Sequence, residues 1–200
     1  MGTLTVAAHQ VLVGVVTVAQ FCPEPLSACA QSELATIAAK LRRRHPLRDR
    51  LTRAEKRFAK KSARLLLACG GALGGLVASL CYLALVYFPH VFSADVHVAM
   101  AVSAMAPIVC VAVFFYALVC VSDGLIFASG RMVFAAGASI ANTPLVAAFV
   151  ARASGGGFGL IGVWYALLAI FLVRLVENGV VVGVDYGVFE FDSGGDDERS

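Results

Sequence analysis

The chain of 200 residues is 60% hydrophobic and 14% charged, with a mean hydropathy of +0.83, outside the balance of a soluble globular domain. Its net charge of +3 and pI near 8.6 do not imply nucleic-acid binding, because no recognition fold is present to display the cations. The composition predicts an all-α, polytopic integral membrane protein. A bilayer crossing takes about 20 apolar residues, and such runs lie near 4–38, 62–88, 96–122, 132–151 and 158–182.

The first run has neither the basic start nor the small-residue cleavage site of a leader, so it reads as a span. EPLSACAQSE, residues 24–33, interrupts it. Pro23 and Pro25 predict a helix break, because each lacks the N–H of a helical hydrogen bond. Lipid tolerates such breaks where neighbouring helices, polar side chains or a wet cavity satisfy the freed carbonyls. Glu24, held at this break, is a candidate for facing a cavity, with Ser27 and Gln31 on roughly the same side of the helix.

Residues 40–64 hold 12 of the 16 Lys and Arg against Asp49 and Glu55, a local balance of 12 − 2 = +10. A loop this basic resists translocation, so the segment 40–61 is predicted inside, with the N-terminus outside and the C-terminus inside. Arg42, Arg43, Arg44, Lys60 and Lys61 could meet anionic lipid headgroups, since Leu47, Leu51, Ala54 and Phe58 recur at helical spacing opposite the cations. A topology anchor with a solvated face explains the same pattern.

In the second run, Gly70, Gly71, Gly74 and Gly75 form two overlapping small-xxx-small pairs suited to close helix packing. The third run contains Pro107 and ends at Asp123, for which a helix-terminal role and a substrate role both stand. The fourth contains Pro144 just after Asn142 and Thr143. In the fifth, Arg174 and Glu177 are three apart, as a structural ion pair or as groups snorkelling to the interface. Several proline-broken helices in one small bundle suggest a channel or transporter. Residues 185–200 form an acidic tail predicted to be disordered.

Cys22, Cys29, Cys69, Cys81, Cys110 and Cys120 fall in or beside apolar runs without CxxC spacing and read as small buried hydrophobes. His9, His45, His90 and His97 are scattered, so no metal site is expected. No catalytic motif is recognisable, and no enzyme activity or catalytic residue is expected.

GTLTVAAHQV at 2–11, EPLSACAQSE at 24–33, DGLIFASGRMVF at 123–134 and GFGLIGVWYALLAIFLVR at 157–174 resemble the carboxy-terminal lobe of the multidrug and toxic compound extrusion (MATE) transporters. The EPLS and AQS pieces are most similar to the plant chloroplast-envelope branch. The resemblance implies that the five runs are helices eight to twelve of a twelve-helix fold, with the amino-terminal lobe missing. It further implies antiport of a small organic substrate or xenobiotic against protons or sodium, with no other cofactor, and EPLSACAQSE facing the cleft between lobes. The family's coupling carboxylates lie on helices absent here, so no coupling residue carries over. Glu24, Ser27, Gln31, Asp123 and Asn142 remain the candidates for the substrate pathway. The chloroplast envelope is the expected membrane by resemblance, and the plasma or vacuolar membrane otherwise. The alternative is a truncated, non-transporting membrane protein that only packs with partners or binds anionic lipid.

Overall fold

The computed structural model describes residues 2–44, 53–155 and 159–186, with side chains for 2–36, 57–152 and 159–185. Its elements are helices: α1 (Thr3–Gln20), α2 (Glu24–Arg44), α3 (Arg53–Tyr87), α4 (Pro89–Phe92), α5 (Val96–Ala128), α6 (Met132–Gly155) and α7 (Gly159–Tyr186). Among the described residues, five stretches are long and apolar enough to cross a membrane: Thr3–Thr36, Arg57–Tyr87, Val96–Ala128, Met132–Arg152 and Gly159–Asp185. The fold is therefore all-helical and compatible with an integral multi-pass membrane protein.

Thr3–Thr36 is one span made of two helices. Pro23 cannot donate a helical hydrogen bond and disfavours the helical region for Cys22. The chain therefore closes α1 with tight turns, the Phe21 N–H donating to Val18 O at 3.3 Å and the Cys22 N–H to Ala19 O at 3.2 Å. It restarts when the Leu26 and Ser27 N–H groups both donate to Pro23 O. Pro25 is the second residue of α2, in the first turn, where a missing N–H removes no intrahelical bond. The buried stripe runs through the break on one side: Ala8, Leu12, Val16 and Ala19, then Pro23, Ser27, Ala30 and Leu34. By contrast, α5 and α6 continue as helices through Pro107 and Pro144.

The hub is α5. Apolar residues cover it on all sides, the pattern of a helix surrounded by others, and α1, α2, α3 and α7 all pack against it. Asp95 caps its start by accepting the His97 N–H at 2.8 Å. Gly130, at φ +80°, lies in the left-handed region and turns the chain into α6.

Only one of the two predicted glycine pairs makes the α3–α5 contact. A Cβ on Gly70 would stand 2.8 Å from Val121 Cγ2, and one on Gly74 2.7 Å from the Ala117 Cβ. A Cβ on Gly71 would meet Leu118 at an ordinary 3.6 Å, and Gly75 faces open space. The small-residue pair thus lets two backbones approach, which is how helices gain dispersion contacts in lipid.

The basic segment is largely helical where it is described. Residues 40–44 end α2 and residues 53–61 begin α3, while 45–52 lie outside the described residues, as do the side chains of Arg42, Arg43 and Arg44. Lys60 is buried and Lys61 exposed. Phe58 is exposed too, while Leu47, Leu51 and the Ala54 side chain lie outside the described residues. Of the acidic tail, Asp185 and Tyr186 belong to α7, and 187–200 are not among the described residues. The cysteines differ from expectation: Cys110 alone is buried, Cys81 and Cys120 are half-buried, and Cys22, Cys29 and Cys69 are exposed. Cys29 and Cys69 lie on α2 and α3, and Cys22 in the turn between α1 and α2.

Two apolar clusters divide the interior. One joins α1, α3, α5 and α7 around Leu12, Val102, Val109 and Trp164. The other joins α2, α3, α5, α6 and α7 around Leu34, Ala63, Leu125 and Val182. Between them along α2, α5 and α7 lie the buried polar residues Ser27, Ser122 and Asn178.

Candidate functional site

That polar layer is the candidate site, and α5, α6 and α7 build most of it. Arg174 and Asn178 stand four apart on α7, so both point the same way. Across from them are Ser122 and Asp123 on α5 and Ser139 on α6.

The Arg174 guanidinium bridges all three helices. Its Nη2 donates to Asp123 Oδ1 at 3.2 Å, and its Nη1 to Ser139 Oγ at 2.8 Å and the Ala135 carbonyl at 3.4 Å. Asn178 Nδ2 adds a 2.7 Å bond to the same Asp123 Oδ1 and a 3.0 Å bond to Ser122 Oγ. The Ser122 hydroxyl in turn donates a hydrogen bond to the Val119 carbonyl at 2.9 Å. The Arg174 and Asp123 side chains retain 14% and 24% of their exposure, so the pair is largely withdrawn from its surroundings. A lone charge in hydrocarbon is costly, and pairing plus hydrogen bonds lowers that cost.

A second link lies one turn away, where Asn142 Nδ2 donates to Glu177 Oε2 at 2.9 Å. At the end of the bundle Arg131, beside the start of α6, forms an ion pair with Asp185 on α7. The sequence suggests that Arg174 and Glu177 pair with each other or snorkel. In the fold each reaches a partner on another helix, because α5 and α6 offer acceptors and donors in better positions. Asp123 lies inside α5, five residues before its last residue Ala128, and serves as a cross-helix acceptor.

The remaining candidates occupy the flank of α2. Ser27 is buried against Gly124, where a Cβ would meet Ser27 Oγ and the Ser27 carbonyl oxygen at 2.7 Å each. Gln31 is exposed, with its Nε2 a long 3.5 Å from Ser27 Oγ. Glu24 is exposed as the first residue of α2, where its carboxylate complements the positive end of the helix. Tyr116 and Cys120 on α5 lie within electrostatic reach of both Glu24 and Asp123. Tyr116 also packs edge-on against Phe171 of α7, with ring centroids 5.5 Å apart. Half-buried Tyr116, Cys120 and Asp123 therefore line one side of α5, with α2 on one flank and α7 on the other.

The structure joins Asp123 with Asn178, Ser122 and Ser139, which sequence reasoning missed. The four-residue spacing of Arg174 and Asn178 in RLVEN was the available signal. Asn142 belongs to a neighbouring link through Glu177, and Glu24 and Gln31 to the open α2 flank. Among the described residues no group of three or more His, Cys, Asp or Glu is placed to hold a metal ion. No family model matches the chain, and neither a curated protein nor a solved structure matches it.

Proposed function

We propose that this chain is part of a secondary transporter that moves a small organic solute across a membrane, of the MATE antiporter type. The observation that carries this is a polar line left uncovered along a mostly apolar span, with Ser32, Glu33 and Thr36 also exposed at its end. Thr3, Gln10, Thr17, Glu24 and Gln31 recur every seventh residue along α1 and α2, and all five are exposed. Polar groups facing hydrocarbon are costly, and such positions normally face a bundle interior or an aqueous pathway. Covered by a second set of helices, this line becomes the wall of a wet cleft. The resemblance supplies those helices as an amino-terminal lobe.

In this mechanism Glu24 and Gln31 contact the solute with a charge and an amide. Asp123 and Arg174 lock α5, α6 and α7 into one body. Alternating access then rocks that body against its partner, exposing the α2 flank first to one side and then to the other. Exchange for a proton or sodium drives export. The chloroplast envelope is the proposed membrane.

The test is flux of an organic cation in proteoliposomes carrying the protein with its native partner helices. Glu24→Gln and Gln31→Ala are expected to lower flux at equal protein density. Equal flux in both variants overturns the assignment. A second reading, a non-transporting protein bound to anionic lipid, is favoured by Arg57, Lys61 and Arg64, which are exposed near the basic end of α3. It predicts no flux in any form of the protein and retention of acidic phospholipid on purification.

A further inference from the structure

The early part of α3 presents two exposed stripes side by side. Arg57, Lys61 and Arg64 fall four and three residues apart, so they share one face of the helix, and all three are exposed. Phe58 and Leu65, about a quarter-turn round the helix, are 56% and 62% exposed. Most of this surface stands clear of the hydrocarbon. The stretch Leu65–Tyr87 rises about 34 Å, which by itself crosses a core of about 30 Å. Lys61 and Arg57 then lie about 6 and 12 Å beyond Leu65 along the axis, against a headgroup layer about 5–8 Å deep. Arg57 therefore reaches water.

The acidic end of the same chain starts beside this surface. Ala63, between Lys61 and Arg64, and Val182, four residues before the end of α7 at Tyr186, belong to one buried cluster. The Arg131–Asp185 ion pair fastens the last turn of α7 there. Beyond it, residues 187–200 read GVFEFDSGGDDERS, with Glu190, Asp192, Asp196, Asp197 and Glu198 against Arg199, a local balance of 1 − 5 = −4. Phe189 and Phe191 add apolar surface.

From this we infer that the acidic tail, residues 187–200, docks on the early part of α3, its carboxylates on Arg57, Lys61 and Arg64 and its phenylalanines beside Phe58 and Leu65. A segment of 14 residues has a root-mean-square span of about 20 Å. Helices α3 and α7 are in contact, and the axes of packed helices stand about 8–10 Å apart, so the tail reaches α3 without full extension. Single exposed ion pairs contribute little. Here several pairs and an apolar contact act together, and the tether holds the tail at a millimolar local concentration. Anionic lipid lacks that tether, and its headgroups lie below Arg57. A seated tail screens these cations from other anions, and the contact rests on neither reading of function above.

The test is the mobility of a nitroxide on Ser193→Cys, in the full chain with its six native cysteines replaced by alanine, held in phosphatidylcholine nanodiscs. The label should turn slowly at about 0.01 M salt. It should speed up several-fold at about 1 M, where the screening length falls from about 30 Å to about 3 Å. The same gain is expected in Arg57→Gln/Lys61→Gln/Arg64→Gln and in Asp196→Asn/Asp197→Asn/Glu198→Gln. The tail variant leaves every described residue in place, so it tests the contact independently of how the α3 variant folds. A label as fast in the parent chain as in the tail variant overturns the docking. So does a slow label that the α3 substitutions leave slow, which would seat the tail elsewhere. A fast label in the parent chain, with phosphatidylglycerol retained by it and lost from the α3 variant, assigns the face to lipid instead. Flux plays no part in this readout, so failure here and failure of the transport proposal are told apart.

Discussion

Gly124→Ala probes the tightest approach between α2 and α5. The new Cβ would lie 2.7 Å from the Ser27 carbonyl oxygen and 3.0 Å from Ser27 Cα. These are backbone atoms, which no rotamer change can move aside. An unstrained carbon–oxygen contact is about 3.3 Å, so the helices must part by roughly 0.6 Å at this level. A gap of that size forfeits about a quarter to a half of each dispersion contact it opens. Overpacking of this kind costs about 1–3 kcal/mol, from which about 1 kcal/mol of helix propensity gained on replacing Gly is subtracted. Gly75→Ala is the matched control, because its Cβ meets nothing within 4 Å. The two variants should differ by about 2 kcal/mol, near 30-fold in the unfolding equilibrium. Reversible unfolding in bicelles, followed by steric trapping, measures that difference. If Gly124→Ala is as stable as Gly75→Ala, the close Ser27–Gly124 approach is refuted.

Breaking the charge pair should be worse than removing it. Arg174→Met and Asp123→Leu are each expected to destabilise the bundle by more than the double variant implies, with a coupling of about 0.5–3 kcal/mol in the same unfolding assay. The uncovered polar line gives a labelling prediction. In a chain whose six native cysteines are replaced by alanine, Gln31→Cys should react with a water-soluble maleimide in native membranes. Val18→Cys, 70% exposed but off the line, should react far more slowly because it faces lipid. Equal rates at the two positions would remove the wet cleft.

The spans were legible because hydropathy over twenty residues outweighs any local detail. The boundaries were less so: the third run continues from residue 122 to Ala128, since Asp123 is paired inside the fold and need not end the helix. The prolines differ in where they fall. Pro23 accompanies a break, whereas Pro25 sits harmlessly in a first turn and helices pass through Pro107 and Pro144. Position in the helix decides this, and a proline in a sequence does not announce its position. The glycines showed that a contact exists, yet which of two faces is used depends on where α5 lies. Arg174 and Glu177 illustrate the same limit, for three-residue spacing describes one helix and their partners come from two others. Burial of cysteine was predicted from neighbouring apolar residues, a poor guide where the outside of the protein is apolar as well.

At 35 residues α3 is about 52 Å long, against a hydrocarbon core of about 30 Å. Its cations from Arg57 to Arg64 occupy one end, and the six residues from Leu65 to Gly70 lead to the glycine contact with α5. Six residues amount to about 9 Å of rise. A headgroup plane at the level of Arg64 would fix how deep Gly70 and Gly74 sit, much as a float sets the depth of a line. A thinner bilayer would pull this end toward the middle and slide α3 along α5, driving Gly74 away from Ala117. Membrane thickness would thereby become a control on how the central pair of helices engages.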